Sequence, residues 1–233
     1  MTLAAPLITG RLQRRYKRFL ADVLLDSGEH VTAHCPNTGA MTGLADAGAR
    51  VWLSYSDNPK RKYALTLELV ETPTGLACIH SARANALVKA GIGAGVIPAL
   101  SGARDIRSEV RYGAGSRADL LLDMGAQRVF VEVKAVTLNA GSGLGLFPDT
   151  VSVRATKHVN ELVSILDAQT RAALVFCVLH SGIARVAPAA AIDPIYAQAL
   201  KAGVQSGVEV YAMSTHISPQ GIKPSIQVPV EGL

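Results

Sequence analysis

No run of about eighteen apolar residues occurs in the 233-residue chain, so no membrane-crossing helix is expected. The start, MTLAAPLITGRLQRRYKRF, has no continuous apolar core behind a basic segment, which argues against a secretory signal. Cysteine is scarce. Cys35, Cys78 and Cys177 are scattered, odd in number and free of CxxC spacing. That argues against a disulfide framework and a structural zinc site, and makes a reducing cytoplasm the expected compartment. No helix-turn-helix or zinc-finger pattern is evident, so no element is marked for base-specific readout. A dinucleotide-binding glycine loop is also missing. GIGAGV at Gly91 follows a helix-like stretch rather than a strand, so it reads as a loop, and no organic cofactor is expected.

What is present describes a globular chain. It is 49% hydrophobic and 18% charged, enough to bury a core, and its length fits one large or two small domains. The net charge of +5 suits an anionic partner. Residues 1–80 hold nine Lys/Arg against seven Asp/Glu, leaving fourteen against eleven for the rest. The excess is therefore not a basic tail, and any basic surface must be assembled by folding.

Residues 6–80 read as all-β. PLITGRLQRR, YKRFLADVLL, EHVTAHC, RVWLSY, YALTLELV and GLACIH are strand-like, separated by turn formers such as DSGE, PNTGAMTG and SDNPKR. In YKRFLADVLL, Phe19, Ala21, Val23 and Leu25 share one parity, the half-buried pattern of an antiparallel sheet. Short strands at this density predict a small closed barrel, best described as OB-like. Arg11, Arg14, Arg15, Lys17 and Arg18 form one basic cluster, and Lys60, Arg61 and Lys62 a second. Tyr16, Phe19, Tyr55 and Tyr63 are interleaved with them. Basic groups can follow a phosphate backbone while aromatics stack on bases, although the arginines read equally well as a solvated strand face and Phe19 as core. In HCPNTG, Cys35 adjoins His34, but strand neighbours face opposite ways, so this is turn chemistry and a candidate groove wall rather than a catalytic dyad.

Residues 81–233 predict a second, α/β domain. SARANALVKAGI reads as a helix with Ser81 as N-cap and Ala82, Ala86, Leu87 and Ala90 on its apolar face. Strands follow at Ile106–Tyr112, Arg117–Met124 and Arg128–Leu138. Then come a glycine-rich loop (NAGSGLGLFPD), a helix (VRATKHVNELVSILDAQ), an apolar central strand (RAALVFCVLH), a helix capped by Asp193, and the strand GVEVYAMS. Lys157 and Glu161 stand four apart on their helix and can pair. Arg154, Lys157 and His158 lie in its first turns, where the helix dipole does not favour cations, so they are candidates to face phosphate, as is Arg117.

The chemical signal is the hairpin SRADLLLDMGAQRVFVEVKAVTL from Ser116. Side chains alternate along a strand, so Val129, Val131 and Val133 face one way while Phe130, Glu132 and Lys134 face the other. If the hairpin pairs in register, Asp119 joins them. Two carboxylates can hold a hard cation such as Mg²⁺ or Mn²⁺, and a lysine can neutralise charge on a phosphate undergoing attack. Asp119 followed by Glu132-x-Lys134 resembles the D…(D/E)xK signature of restriction-endonuclease-like enzymes, and Glu109 is a candidate fourth acid. A solvated Glu–Lys pair remains the plainer alternative.

Several separate blocks together resemble the sugar fermentation stimulation protein A (SfsA) family nearly end to end. They include RYKRFLADV, AHCPNTG, SDNPKRKYALTLELV, SRADLLL, VFVEVKAVTL, FPDTVSVRATKHVNEL and HSGIARVAPAAAIDPIYA. CIHSARAN departs from the family's more usual helix entry. The resemblance implies an N-terminal OB-like domain and a C-terminal restriction-endonuclease-like domain. It also implies DNA binding with little sequence specificity, and a regulatory link to sugar, especially maltose, metabolism. It carries the nuclease signature onto Asp119, Glu132 and Lys134. The readings left open are a DNA-binding protein, a metal-dependent nuclease, and a non-DNA factor in which the cluster only stabilises the fold.

Overall fold

The computed structural model describes Leu3, residues 6–112 and residues 116–233, with Ser116 by its backbone alone. The N-terminal apolar runs become β1 (Ile8–Tyr16), β2 (Leu20–Leu25), β3 (His30–His34), β4 (Arg50–Tyr55), β5 (Leu65–Thr72) and β6 (Gly75–Cys78). They pair in the order β3-β2-β1-β4-β5-β6. A parallel contact between His34 and Thr66 joins β3 to β5 and closes the first five into an OB-like barrel. Inward-facing Leu12, Val23, Leu53 and Leu67 fill it, with Met41 and Ile79 as plugs.

The first hairpin turns elsewhere than expected. Tyr16 ends β1 rather than opening β2, and Lys17 and Arg18 make the reversal with φ of +49° and +65°. Left-handed pairs of this kind usually carry Gly or Asn, so nothing in the sequence marks the turn. Phe19 is displaced from the strand parity and stands 46% exposed, not in the core.

The second domain begins with α1 (Arg83–Gly93), followed by β7 (Asp105–Tyr112), β8 (Ser116–Asp123), β9 (Arg128–Val136), β10 (Leu138–Asn139) and β11 (Leu144–Phe147). Then come α2 (Val153–Ser164), β12 (Thr170–Val178), β13 (Arg185–Pro188), α3 (Pro194–Gln205), β14 (Glu209–Ser218) and β15 (Gly221–Val228). The main sheet runs β15-β14-β12-β9-β8-β7, with β9, β12 and β14 mutually parallel. Core residues of α1 pack on one face, with Val129, Val131 and Val133. Those of α2 and α3 cover the other, with Phe130, Leu174 and Phe176.

Two expectations need correcting. The buried face of α1 is Ala84, Leu87, Val88, Gly91 and Ile92, and Ala82 rather than Ser81 occupies the N-cap without a side-chain bond. These positions follow the helical i, i+3, i+4, i+7, i+8 spacing and all lie within SARANALVKAGI, so the helix forms where expected but with its buried face rotated. At Gly91 a Cβ would strike the Met213 sulfur, so any larger residue would push that side chain aside. The segment from Leu138 to Pro148 is likewise not a plain loop. It contributes β10 and β11 to a small sheet completed by β13, and β15 extends the main sheet beyond the last expected strand.

The two domains share a core. Leu69 and Cys78 of the barrel pack with α1 and the main sheet. Cys78 N–H donates to Leu179 O (2.9 Å) and Ser181 N–H to Leu76 O (2.9 Å). Buried Glu68 of β5 accepts from Ser54 Oγ (2.8 Å) and from Arg83 Nη2 at the start of α1 (2.8 Å). A buried carboxylate paired in this way resists separation of the domains, because parting them would strand its charge.

Candidate metal and phosphate site

The hairpin forms as its sequence pattern predicts, with β8 and β9 antiparallel and Leu120 opposite Val131. Glu132 lies on a strand flanked by β8 and β12 and covered on both faces, and is only 3% exposed. Its Oε1 accepts from Lys134 Nζ (2.7 Å) and is in short contact with His158 Nδ1 of α2. Arg154 Nε lies 3.3 Å from His158 Nε2. Since Arg can only donate, Nε2 accepts; Lys134 Nζ lies 3.3 Å from His158 Nδ1 on the other side of the ring. Burial pushes the Glu132 carboxyl up, but the His158 bond and the Lys134 charge outweigh it and hold it below the ordinary range. Its second oxygen, Oε2, is buried and has no partner among the described residues.

Asp119 stands beside this pair. Its Oδ2 accepts from the Val133 N–H (2.7 Å), and its Oδ1 from Asn85 Nδ2 of α1 (2.7 Å). Burial, and then the charge of Glu132, push the Asp119 carboxyl up. Asp119 thus feels the Glu132–Lys134 pair electrostatically without bonding to it. Tyr112, at the end of β7, packs against Phe130 with ring centroids 5.4 Å apart and planes tilted by 38°. Its buried hydroxyl has no partner among the described residues, and burial and Glu132 raise it.

A cavity of about 270 Å³ opens next to Lys134. Asn37 and Gly39 of the barrel's HCPNTG loop, Asn85 of α1, Phe147 at the end of β11 and Asp149 beyond it line it. Asp149 Oδ2 accepts from the Met41 N–H (3.2 Å), fastening the two domains at its rim.

Several expected residues lie elsewhere. His158, a candidate phosphate contact, is turned inward onto Glu132, because the helix face carrying it also carries buried Ala155, Val159 and Leu162. Arg15 is part-buried, and its Nη2 donates to the carbonyls of Arg18 (2.7 Å), Asn37 (2.8 Å) and Gly39 (2.9 Å). Arg18 Nε donates to Thr38 O (3.2 Å), and Arg11 Nη1 to Gly48 O (3.0 Å). Arg14 is exposed, paired with Asp22 (2.8 Å) and stacked on Tyr16. Lys17, Lys60, Arg61 and Lys62 are exposed on the barrel, as are Arg117 on β8 and Arg154 and Lys157 on α2. The expected Lys157–Glu161 pair forms at 3.5 Å. Glu109 does not join the cluster. A left-handed backbone (φ +56°) interrupts the β7–β8 ladder there and leaves it exposed.

Asn85, Asp149, Tyr112 and the partnership of His158 with Glu132 were not legible as parts of this site. Only the HCPNTG and FPDTVS blocks hinted that these loops matter.

The family model described as "Sugar fermentation stimulation protein RE domain" matches residues 82–221, and "SfsA N-terminal OB domain" matches residues 14–79. The chain belongs to the SfsA family. A sugar fermentation stimulation protein homolog of Alkalilimnicola ehrlichii is 51% identical to it over 99% of both chains. One of Teredinibacter turnerae is also 51% identical, again over 99% of each. Among solved SfsA structures, "The structure of Pyrococcus Furiosus SfsA in complex with Ca2+" superimposes with a TM-score of 0.86 at 27% identity. It covers 99% of this chain and 98% of its own. Among the described residues of this SfsA chain, no helix is long and apolar enough to cross a membrane.

Proposed function

We propose that this SfsA chain binds DNA largely without regard to sequence and cuts its phosphodiester bonds at Asp119, Glu132 and Lys134. The observation that carries the reading is Glu132. It is an ionised, buried carboxylate on a central strand, oriented by His158 and Lys134, with one oxygen left without a partner among the described residues. Such an oxygen is costly to bury unless something meets it, and a cation would. Among the described residues no group of three or more acidic, His or Cys side chains is arranged to hold an ion. An ion held by Asp119 and Glu132 alone would keep several waters, as Mg²⁺ or Mn²⁺ does. The calcium complex of the Pyrococcus relative supports a divalent ion in this family. When bound, the ion would supply charge neutralisation of the phosphate and a more acidic water.

The chain's own residues do the rest. Lys134 places a positive charge where negative charge develops on the phosphate. His158 fixes the Glu132 rotamer, and Asn85 fixes that of Asp119. Exposed Arg14, Lys17, Lys60, Arg61, Lys62, Arg117, Arg154 and Lys157 supply contacts to the phosphate backbone, which position DNA without reading it. The relatives' names point to sugar fermentation as the setting; DNA binding would be the route by which the protein regulates it.

The test incubates labelled duplex, nicked, flapped and single-stranded DNA with the protein in Mg²⁺, Mn²⁺ or EDTA, with Asp119→Asn in parallel. Metal-dependent cutting that vanishes in the variant is expected. Binding without cutting in either metal would reduce the protein to a DNA-binding one on a nuclease scaffold. Absence of DNA binding would refute both parts.

A further inference from the structure

The cavity beside Lys134 is built from both domains, and its mouth is set by bonds rather than by loose loops. Arg15 grips the carbonyls of Asn37 and Gly39, and Arg18 that of Thr38. Asp149 takes the Met41 N–H from the opposite side. Gly39 is packed so closely that a Cβ there would lie 3.0 Å from Asn37 Oδ1 and 3.2 Å from Asp149 Oδ2. A mouth held this way does not widen easily. The volume of about 270 Å³ lies just below the roughly 300–1,000 Å³ of pockets that take drug-sized molecules. It suits one ring and its sugar, not a stacked base pair.

The lining has the chemistry for that ring. Asn37 Oδ1 accepts from the Gly39 N–H (2.8 Å), which leaves its amide hydrogens to donate. Asn85 gives its amide to Asp119, which leaves its Oδ1 to accept. Together they offer a donor and an acceptor for the edge of a heteroaromatic base. Phe147 adds an apolar wall, its ring braced by Phe176 and Tyr196, and Lys134 a cation for the attached phosphate. Asn85 and Lys134 belong at once to the cavity and to the Asp119–Glu132 cluster, so a nucleotide held here has its phosphate beside the carboxylates.

We infer that the cavity receives a single unpaired nucleotide, so that the site acts on DNA offering unpaired nucleotides: single strands, flaps and frayed ends rather than uninterrupted duplex. This deepens the cleavage reading and rests on it for the chemistry, but not for the binding. Drawing a nucleotide out of an intact helix requires unstacking and unpairing, which an unpaired strand does not.

The test compares a fluorescent single strand with a closed dumbbell duplex of the same composition. Anisotropy in EDTA reports binding, and cutting is followed in Mg²⁺ and Mn²⁺. Thr137→Trp fills the cavity from its lining, and Asn37→Leu removes the amide at similar size; circular dichroism checks that both fold. The parent should favour the single strand, and each variant should lose about tenfold or more in affinity for it while dumbbell binding stays unchanged. Equal affinity of the parent for the two DNAs, or folded variants that bind the single strand like the parent, would overturn the inference. A parent that cuts nothing, yet shows the preference and its loss, would sink the cleavage reading and leave the cavity assignment standing. Equal cutting of strand and dumbbell would do the reverse.

Discussion

Glu132→Gln isolates the charge of the central carboxylate, because glutamine keeps its shape. In the parent, Oε1 takes a bond from Lys134 and one from His158 inside the sheet. Hydrogen bonds to charged groups contribute roughly 1.5–3 kcal/mol each, and breaking a buried ion pair costs about 3–5 kcal/mol. Glutamine can still accept one of these bonds, it sheds the penalty of burying a charge, and it lifts the repulsion on Asp119. A net loss of about 2 kcal/mol at neutral pH follows. For a chain of this length that is a fall in Tm of about 4–8 °C. The pH dependence fixes the sign. The Glu132 carboxyl is held below its usual value of 4.5, so its stabilisation is present above that pH and is lost as pH falls through the folded-state value. Thermal unfolding followed by circular dichroism from pH 8 downward should show parent and variant curves separated at neutral pH and converging in acid. Metal-dependent cutting should be lost throughout. A variant as stable as the parent at pH 7, or a gap that widens as the pH drops, would refute this account of the Glu132 environment.

Asp119 carries the opposite sign. Its carboxyl is raised by burial and by Glu132, so its favourable contribution is present at low pH and is lost as pH rises through the folded value. The stability difference between parent and Asp119→Asn should therefore move in the variant's favour with rising pH, as denaturation midpoints across pH 3–8 would reveal. Arg15→Ala removes the Nη2 group that holds three carbonyls and should lower stability by about 2 kcal/mol, whereas Arg14→Ala, breaking an exposed pair, should leave the urea midpoint nearly where it was. Neutralising Lys60, Arg61 and Lys62 together should flatten the salt slope of DNA binding by up to about 3, because each cation that meets a phosphate displaces about one counterion; an unchanged slope would take this loop out of the interface.

Much of the fold was legible because its signals are local. The six barrel runs, the hairpin around Met124–Gln127 and the Asp193 cap each follow from turn chemistry or from alternation within a few residues. The failures came where tertiary packing overruled those rules. The Lys17–Arg18 reversal uses left-handed residues with no glycine to announce it. The true face of α1 depends on Gly91 meeting Met213 of β14, which lies far off in the sequence. β10, β11 and β13 are too short to show a period of their own.

The site divides along the same line. The sequence by itself determined that Glu132 and Lys134 leave one face of β9 together, because a strand's backbone points alternate side chains to opposite sides. It also determined that Asp119 lies on the neighbouring strand, because a short turn forces the hairpin. Only the tertiary structure decided that His158 turns inward to hold Glu132, that Asn85 holds Asp119, and that Arg15 holds a loop over Lys134. Those partners lie 26, 34 and 22 or more residues apart in the chain. Which helix face or loop comes to rest over which strand is set by the packing of whole layers, and no pattern confined to one turn or one strand records it.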